Sequence, residues 1–202
     1  IATSLINLGI LKGDRIAIIS ENRPEWHIAD LAIMSIGAIT VPAYTTSTQK
    51  DYEYILNHCD ARCLIVSSEE LAKKAIPAAL NSSKCKNVIT IDSIEESILS
   101  NISTNKWSNL IIENSNETYD LNNNAMEISR RDTACIIYTS GTGGNPKGVM
   151  LSHGAMLHNC AGAQKLLFNL TTNIESVRFL SWLPLSHSYE HTLQYFYTSV
   201  GG

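Results

Sequence analysis

The chain has 202 residues, 44% hydrophobic and 17% charged, which excludes a disordered tail and allows one domain with a real core. Fifteen basic against nineteen acidic residues leave a net charge of −4, and no stripe of Lys and Arg stands out, which argues against a nucleic-acid partner. No apolar run reaches the ~18 residues of a membrane span, and no signal peptide opens the chain.

Five cysteines, at 59, 63, 85, 135 and 160, are odd in number and irregular in spacing, so buried or incidental thiols in a reducing, cytoplasmic setting are expected. Cys59 and Cys63 lack the second pair that a zinc site needs. The chain starts at Ile1 inside a helical pattern and ends at Gly201-Gly202 with no closing element, so it reads as a fragment of a longer protein.

Residues 1–10 carry the end of an amphipathic helix, closed by Gly9 or by Gly13-Asp14. Arg15 to Ser20 is a short buried-strand run. Glu21-Asn22-Arg23-Pro24 follows as a turn, with Asn22 as cap and Pro24 at the first helical position. A helix from Glu25 to about Ile36 ends at Gly37, and Ile39 to Pro42 is the next strand. Strand, helix, strand at this spacing is a βαβ unit, hence a parallel sheet. The alternation continues with helices at 51–58, 68–80 and 93–99 and strands at 63–66 and 87–91. The fold class expected is α/β: an open, mostly parallel sheet flanked by helices.

Residues 101–124 change character. Asparagine is dense, apolar periodicity is weak, and Ile111-Ile112 is the one clear core pair, so a long polar connection is expected rather than a prion-like tract. A strand at 134–137 and a second at 149–151 follow. Ser152 is placed to cap a helix running to Leu167, Phe179 to Leu183 reads as a strand, and a helix opens at an exposed His187.

The loop between those two strands is Tyr138-Thr139-Ser140-Gly141-Thr142-Gly143-Gly144-Asn145-Pro146-Lys147-Gly148-Val149. Glycines expose backbone N–H groups and admit a ligand closely, and successive N–H groups make a concave anion site. Thr139, Ser140 and Thr142 add hydroxyls, and Lys147 adds the compact positive charge that suits phosphate. A plain surface hairpin uses the same turn residues. A Walker A loop does not fit, because Pro146 and Gly148 flank Lys147 where that pattern needs Gly and then Ser or Thr.

This stretch resembles the phosphate loop of the adenylate-forming (AMP-binding) superfamily, Tyr-Thr-Ser-Gly-Thr-Thr-Gly-x-Pro-Lys-Gly-Val, with Gly143 where Thr or Ser is usual. Leu183-Pro184-Leu185-Ser186-His187 resembles a second segment of the superfamily, most like its long-chain acyl-CoA synthetase branch. Glu21-Asn22-Arg23-Pro24-Glu25-Trp26 and Val41 to Ser47 resemble the opening of the same enzymes, where their role is packing.

The resemblance implies that residues 1–202 are part of an adenylation domain of a fatty acid–CoA ligase, with ATP, Mg²⁺ and CoA as cofactor or co-substrates and a fatty acid as partner. It implies that Thr139, Ser140, Gly141, Thr142, Gly143, Gly144 and Lys147 hold the β- and γ-phosphates. Thr139 or Thr142 would sit near Mg²⁺, and His187, catalytic with Lys147, would face the reacting carboxyl group or gate the acyl channel; a helix-capping histidine with no ligand is the alternative. His153 and Asn159 are taken as structural. A lipid substrate makes peripheral membrane contact conceivable, although no basic amphipathic helix supports it. The adenine-, ribose- and CoA-binding segments would lie elsewhere, so this stretch alone is not expected to turn over. An aryl- or amino-acid-activating relative and a non-catalytic nucleotide binder are the alternatives. His187-x-x-Glu190-His191 also spells an inverted zinc-protease motif, for which no third ligand is apparent.

Overall fold

The computed structural model describes residues 1–99, 102–113, 127–139, 145–170 and 178–200. In chain order they form α1 (Ala2–Asn7), β1 (Arg15–Ile19), α2 (Pro24–Ser35), β2 (Ile39–Ala43), α3 (Gln49–His58), β3 (Ala61–Val66), α4 (Glu69–Leu80), β4 (Asn87–Thr90), α5 (Glu96–Leu99), β5 (Ser103–Lys106), α6 (Trp107–Glu113), β6 (Thr133–Thr139), β7 (Lys147–Ser152), α7 (His153–Leu170) and α8 (Ser188–Ser199). The strands make one sheet of order β5-β4-β3-β1-β2-β6-β7. Every neighbouring pair is parallel except the β6–β7 hairpin at one edge. The open, mostly parallel sheet expected from the alternation is the fold observed.

Both faces of the central strands are covered, which is why β1 and β3 read as nearly unbroken apolar runs. Successive residues point to opposite faces. Ala17 and Ile19 meet Tyr52 and Leu56 of α3 and Leu71 and Ile76 of α4. Ile16 and Ile18 meet Leu5 of α1, Trp26 and Ile33 of α2 and Leu110 of α6. Towards the hairpin edge, Cys135 and Ile137 pack with Met34 of α2 and Met156 of α7, and Tyr195 of α8 closes over them.

Local chemistry sets the ends. Pro24 opens α2, where its missing N–H costs nothing, and Gly37, at φ +72, lets the chain turn back into β2. Thr48 and Asp51 form a reciprocal capping box on α3. The Ser152 hydroxyl accepts from Ala155 N at 3.2 Å at the start of α7, as expected of a cap.

Three expectations are corrected. Asn22 does not cap α2; Arg23 holds that position without a side-chain cap bond, and the Asn22 amide is used elsewhere. Within the asparagine-rich stretch, residues 103–113 form β5 and α6, and their core residues are Trp107 and Leu110, one helical turn apart. Ile111 and Ile112 are instead 49% and 71% exposed. Residues 179–183 are not a strand: they run irregularly, with Leu180 and Trp182 exposed to solvent.

Candidate functional site

The hairpin brings two of the expected phosphate-loop residues together. Thr139 ends β6 and Lys147 begins β7, and the two are register partners, both exposed at the open end of the ladder. One step further in, Tyr138 faces Gly148. A Cβ on Gly148 would stand 2.8 Å from Ile136 Cγ2 and 3.3 Å from Tyr138 Cζ, so the glycine is required by packing in the ladder. Ser140, Gly141, Thr142, Gly143 and Gly144 lie outside the described residues.

Helix α3 holds both strands of this hairpin. The Tyr54 hydroxyl donates to Pro146 O at 3.0 Å, directly before Lys147. His58 Nδ1 and the Tyr138 hydroxyl share a hydrogen bond of 2.7 Å, directly before Thr139. The Tyr54 and His58 rings stack, with centroids 5.2 Å apart. Burial pushes the Tyr138 phenol up, so it stays a neutral hydroxyl.

The carboxyl ends of β1 and β2 border an open cavity of about 440 Å³ lined by Ser20, Glu21, Asn22, Thr45, Trp182 and Ser186, among others. This is the end of an open α/β sheet where ligands collect. The Glu21–Trp26 stretch ties the region together. Glu21 accepts hydrogen bonds from Ser67 and Ser68 at the end of β3. Burial alone would raise its carboxyl, but those bonds and the nearby Arg23 hold it below the usual range. Arg23 pairs with Glu25 at 2.8 Å and Asp92 at 3.0 Å. The Asn22 amide donates to Leu183 O at 2.7 Å and accepts from Leu185 N at 2.9 Å, which fixes the turn before His187.

His187 is exposed and caps α8, its Nδ1 accepting from Tyr189 N at 3.2 Å. Among the described residues it bonds to neither Thr139 nor Lys147. The other letters of the His-x-x-Glu-His pattern point elsewhere. Glu190 is buried and accepts from Gln194 at 2.9 Å, while His191 is buried against Asp30 of α2. Asp30 also accepts from the Tyr195 hydroxyl. Sequence reasoning missed this Asp30–His191–Tyr195 cluster and the Tyr54–His58–Tyr138 set, because neither has a local signature. All five cysteines are buried and unpaired. His153 is half-buried, and burial pushes its imidazole down.

Chemically, the hairpin end offers an ammonium opposite a hydroxyl, an arrangement suited to a polyanion. For Mg²⁺ the described residues do not make a site. The Thr139 hydroxyl is one oxygen where the ion wants several, and among the described residues no three His, Cys, Asp or Glu side chains gather around a point. No described helix is long and apolar enough to cross a membrane.

Comparison with known proteins shows the class to which this fold belongs. The model of the AMP-binding enzyme family matches residues 1–202, and the chain belongs to that family. Fatty acyl-CoA synthetase A of Dictyostelium discoideum is 33% identical over 204 residues, covering 100% of this chain and 30% of the relative. The long-chain-fatty-acid–CoA ligase FadD15 of Mycobacterium tuberculosis is 31% identical over 186 residues, covering 92% and 30%. The chain thus spans about 30% of the length of these curated relatives. Among solved structures, the A-PCP didomain of carboxylic acid reductase from Segniliparus rugosus, in complex with AMP, superposes with a TM-score of 0.81 at 20% identity, over 100% of this chain and 30% of that one. The anthranilate CoA ligase AuaEII, in complex with anthranoyl-AMP, gives 0.66 at 25% identity, over 79% and 29%.

Proposed function

We propose that this chain is part of an ATP-dependent fatty acid–CoA ligase. In the first step a carboxylate oxygen attacks the α-phosphorus of ATP. The bond to the bridging oxygen breaks, and pyrophosphate leaves with the electron pair. In the second step the CoA sulfur attacks the acyl carbon, the thiol proton goes to solvent, and AMP leaves. The observation that carries the reading is the Thr139–Lys147 pairing at the mouth of the phosphate-loop hairpin. Two anions must meet in the first step, and charge builds on the departing pyrophosphate. An ammonium carried by the Lys147 position, with the Thr139 hydroxyl opposite, lowers that cost. Ser140, Gly141, Thr142, Gly143 and Gly144 complete the loop in this reading. Thr139 and Thr142 are the loop's threonine hydroxyls in this reading. His187 belongs to the acyl side through the segment that Asn22 holds.

Both relatives' names favour a fatty acid as substrate, and that of FadD15 a long-chain one. The anthranilate ligase among the structural neighbours keeps an aryl acid as the second reading. Both are tested by ATP–pyrophosphate exchange in the full-length protein with carboxylates of graded length and with aryl acids. Exchange that rises with chain length supports the fatty-acid reading; exchange with aryl acids alone replaces it. Lys147→Ala is expected to slow exchange by about 10²-fold, the usual cost of one transition-state donor; an unchanged rate would remove Lys147 from its role. Cytoplasmic placement with peripheral membrane contact belongs to the same reading, and flotation of the full-length protein with lipid vesicles tests the contact.

A further inference from the structure

Residues Pro146 and Tyr138 stand immediately before Lys147 and immediately before Thr139, and one helix reaches both. Tyr54 and His58 are one turn apart on α3 and therefore share a face. The Tyr54 hydroxyl holds Pro146 O at 3.0 Å, and His58 Nδ1 holds the Tyr138 hydroxyl at 2.7 Å. The two rings stack on each other, and each lies edge-on to the Tyr138 ring, at 6.3 and 5.6 Å between centroids. Pro146 has no N–H to give the ladder, so the hydrogen bond that its carbonyl accepts from Tyr54 is an anchor from outside the hairpin.

We propose that Tyr54 and His58 are positioning residues that hold the direction and separation of Thr139 and Lys147, so that α3 tunes phosphate binding without touching the nucleotide. This rests on reading the hairpin as an ATP site. The physical argument is preorganisation. A lysine on a flexible stem binds phosphate better when the backbone that carries it is fixed in advance. The two bonds act on the backbone at one strand and on a ring at the other, so they fix the hairpin end as a unit. Both side chains border an open groove of about 630 Å³ on α3 with Lys50, Glu53 and Asn57, so shortening either leaves no sealed void.

The test is steady-state ATP–pyrophosphate exchange by the full-length enzyme with Tyr54→Phe, His58→Phe and the double variant. Each replacement keeps an aromatic ring and removes one hydrogen bond. KM for ATP is expected to rise about fivefold per bond lost, the size of one ordinary hydrogen bond, with KM for the carboxylic acid unchanged. The thermal midpoint should move by no more than about 4 °C. His58→Gln, which restores a hydrogen-bonding group at that position, should recover part of the ATP effect. An active wild type whose variants keep their KM for ATP, or change both KM values together, overturns the inference and leaves the ATP reading standing. A folded wild type with no exchange on any acid overturns the reading, and the inference with it.

Discussion

Asp30 on α2 and His191 on α8 meet at 2.6 Å, carboxylate oxygen to imidazole Nε2, with both side chains buried. The Tyr195 hydroxyl, one turn along α8, donates to the same oxygen. The Trp26 ring stands edge-on against the imidazole at 5.2 Å. This cluster locks α8, and with it the turn that carries His187, onto α2.

Removing the carboxylate leaves a buried imidazole and a phenol without their acceptor. Asp30→Ala is therefore expected to cost about 3–5 kcal/mol, the usual penalty for breaking a buried pair from one side. Chemical denaturation of the full-length protein checks it, and a loss below about 1 kcal/mol would show that the cluster is not sealed.

The same carboxylate gives a pH dependence. Burial works against the charged form, but the proximity of His191 and the hydrogen bonds from His191 and Tyr195 outweigh it and hold Asp30 below the ordinary range. A group depressed on folding stabilises above its unfolded value, about 3.9, and that contribution is lost as pH falls through the folded value. Asp30→Asn should therefore flatten the acid limb of the stability curve below about pH 4. A limb as steep as that of the wild type would mean the carboxylate contributes none of it.

Asn22 uses both ends of its amide on the 183–185 turn. Asn22→Ala should speed hydrogen exchange at the Leu185 amide roughly five- to tenfold, in line with one lost bond. Asn22→Asp keeps the acceptor for Leu185 and loses the donor to Leu183, so it should leave that amide protected. Equal exchange in wild type and Asn22→Ala would show that the turn holds itself.

His187 has two roles to separate. As the cap of α8 its removal by alanine should cost about 1 kcal/mol, and His187→Asn, a good cap, should recover that stability. If the imidazole also serves the acyl side, the asparagine variant will be stable yet slow in exchange with fatty acids. Full activity in His187→Asn would reduce the residue to a cap.

Gly148→Ala places a methyl group against Ile136 Cγ2 and the Tyr138 ring. A cost of about 1–3 kcal/mol is expected from such overpacking. Adding Ile136→Ala removes the nearer contact, so the double variant should lose less than the two single losses combined. Simple additivity would place the glycine's importance elsewhere.

The sheet was legible because β1, β3 and β4 are apolar on both faces and separated by helix-length intervals, a pattern that burial imposes directly. What escaped was strand and helix at the edges. β5, Ser103–Lys106, is polar, as an edge strand can be, so a search for apolar runs passes over it. Phe179 to Leu183 has strand-like letters, but periodicity cannot tell a strand that finds a partner from a segment that leaves Leu180 and Trp182 in solvent. The pairing of Thr139 with Lys147 across the hairpin follows from two strands joined by a short, local connection. The Asp30–His191 contact spans 161 positions and Tyr54–Pro146 spans 92, and nothing in the neighbourhood of either residue announces its partner.

The place of β6 in the strand order also sets an order of assembly. β1 to β4 can close on one another through short crossovers as each segment emerges from the ribosome, with little chain entropy lost per contact. β6 must instead return past the whole of that block to reach β2, in register at Thr40 and Cys135. Closures of that span form late and slowly. Until the hairpin is in place the β2 edge lacks its partner, and an unpaired strand edge is a template on which another chain can pair.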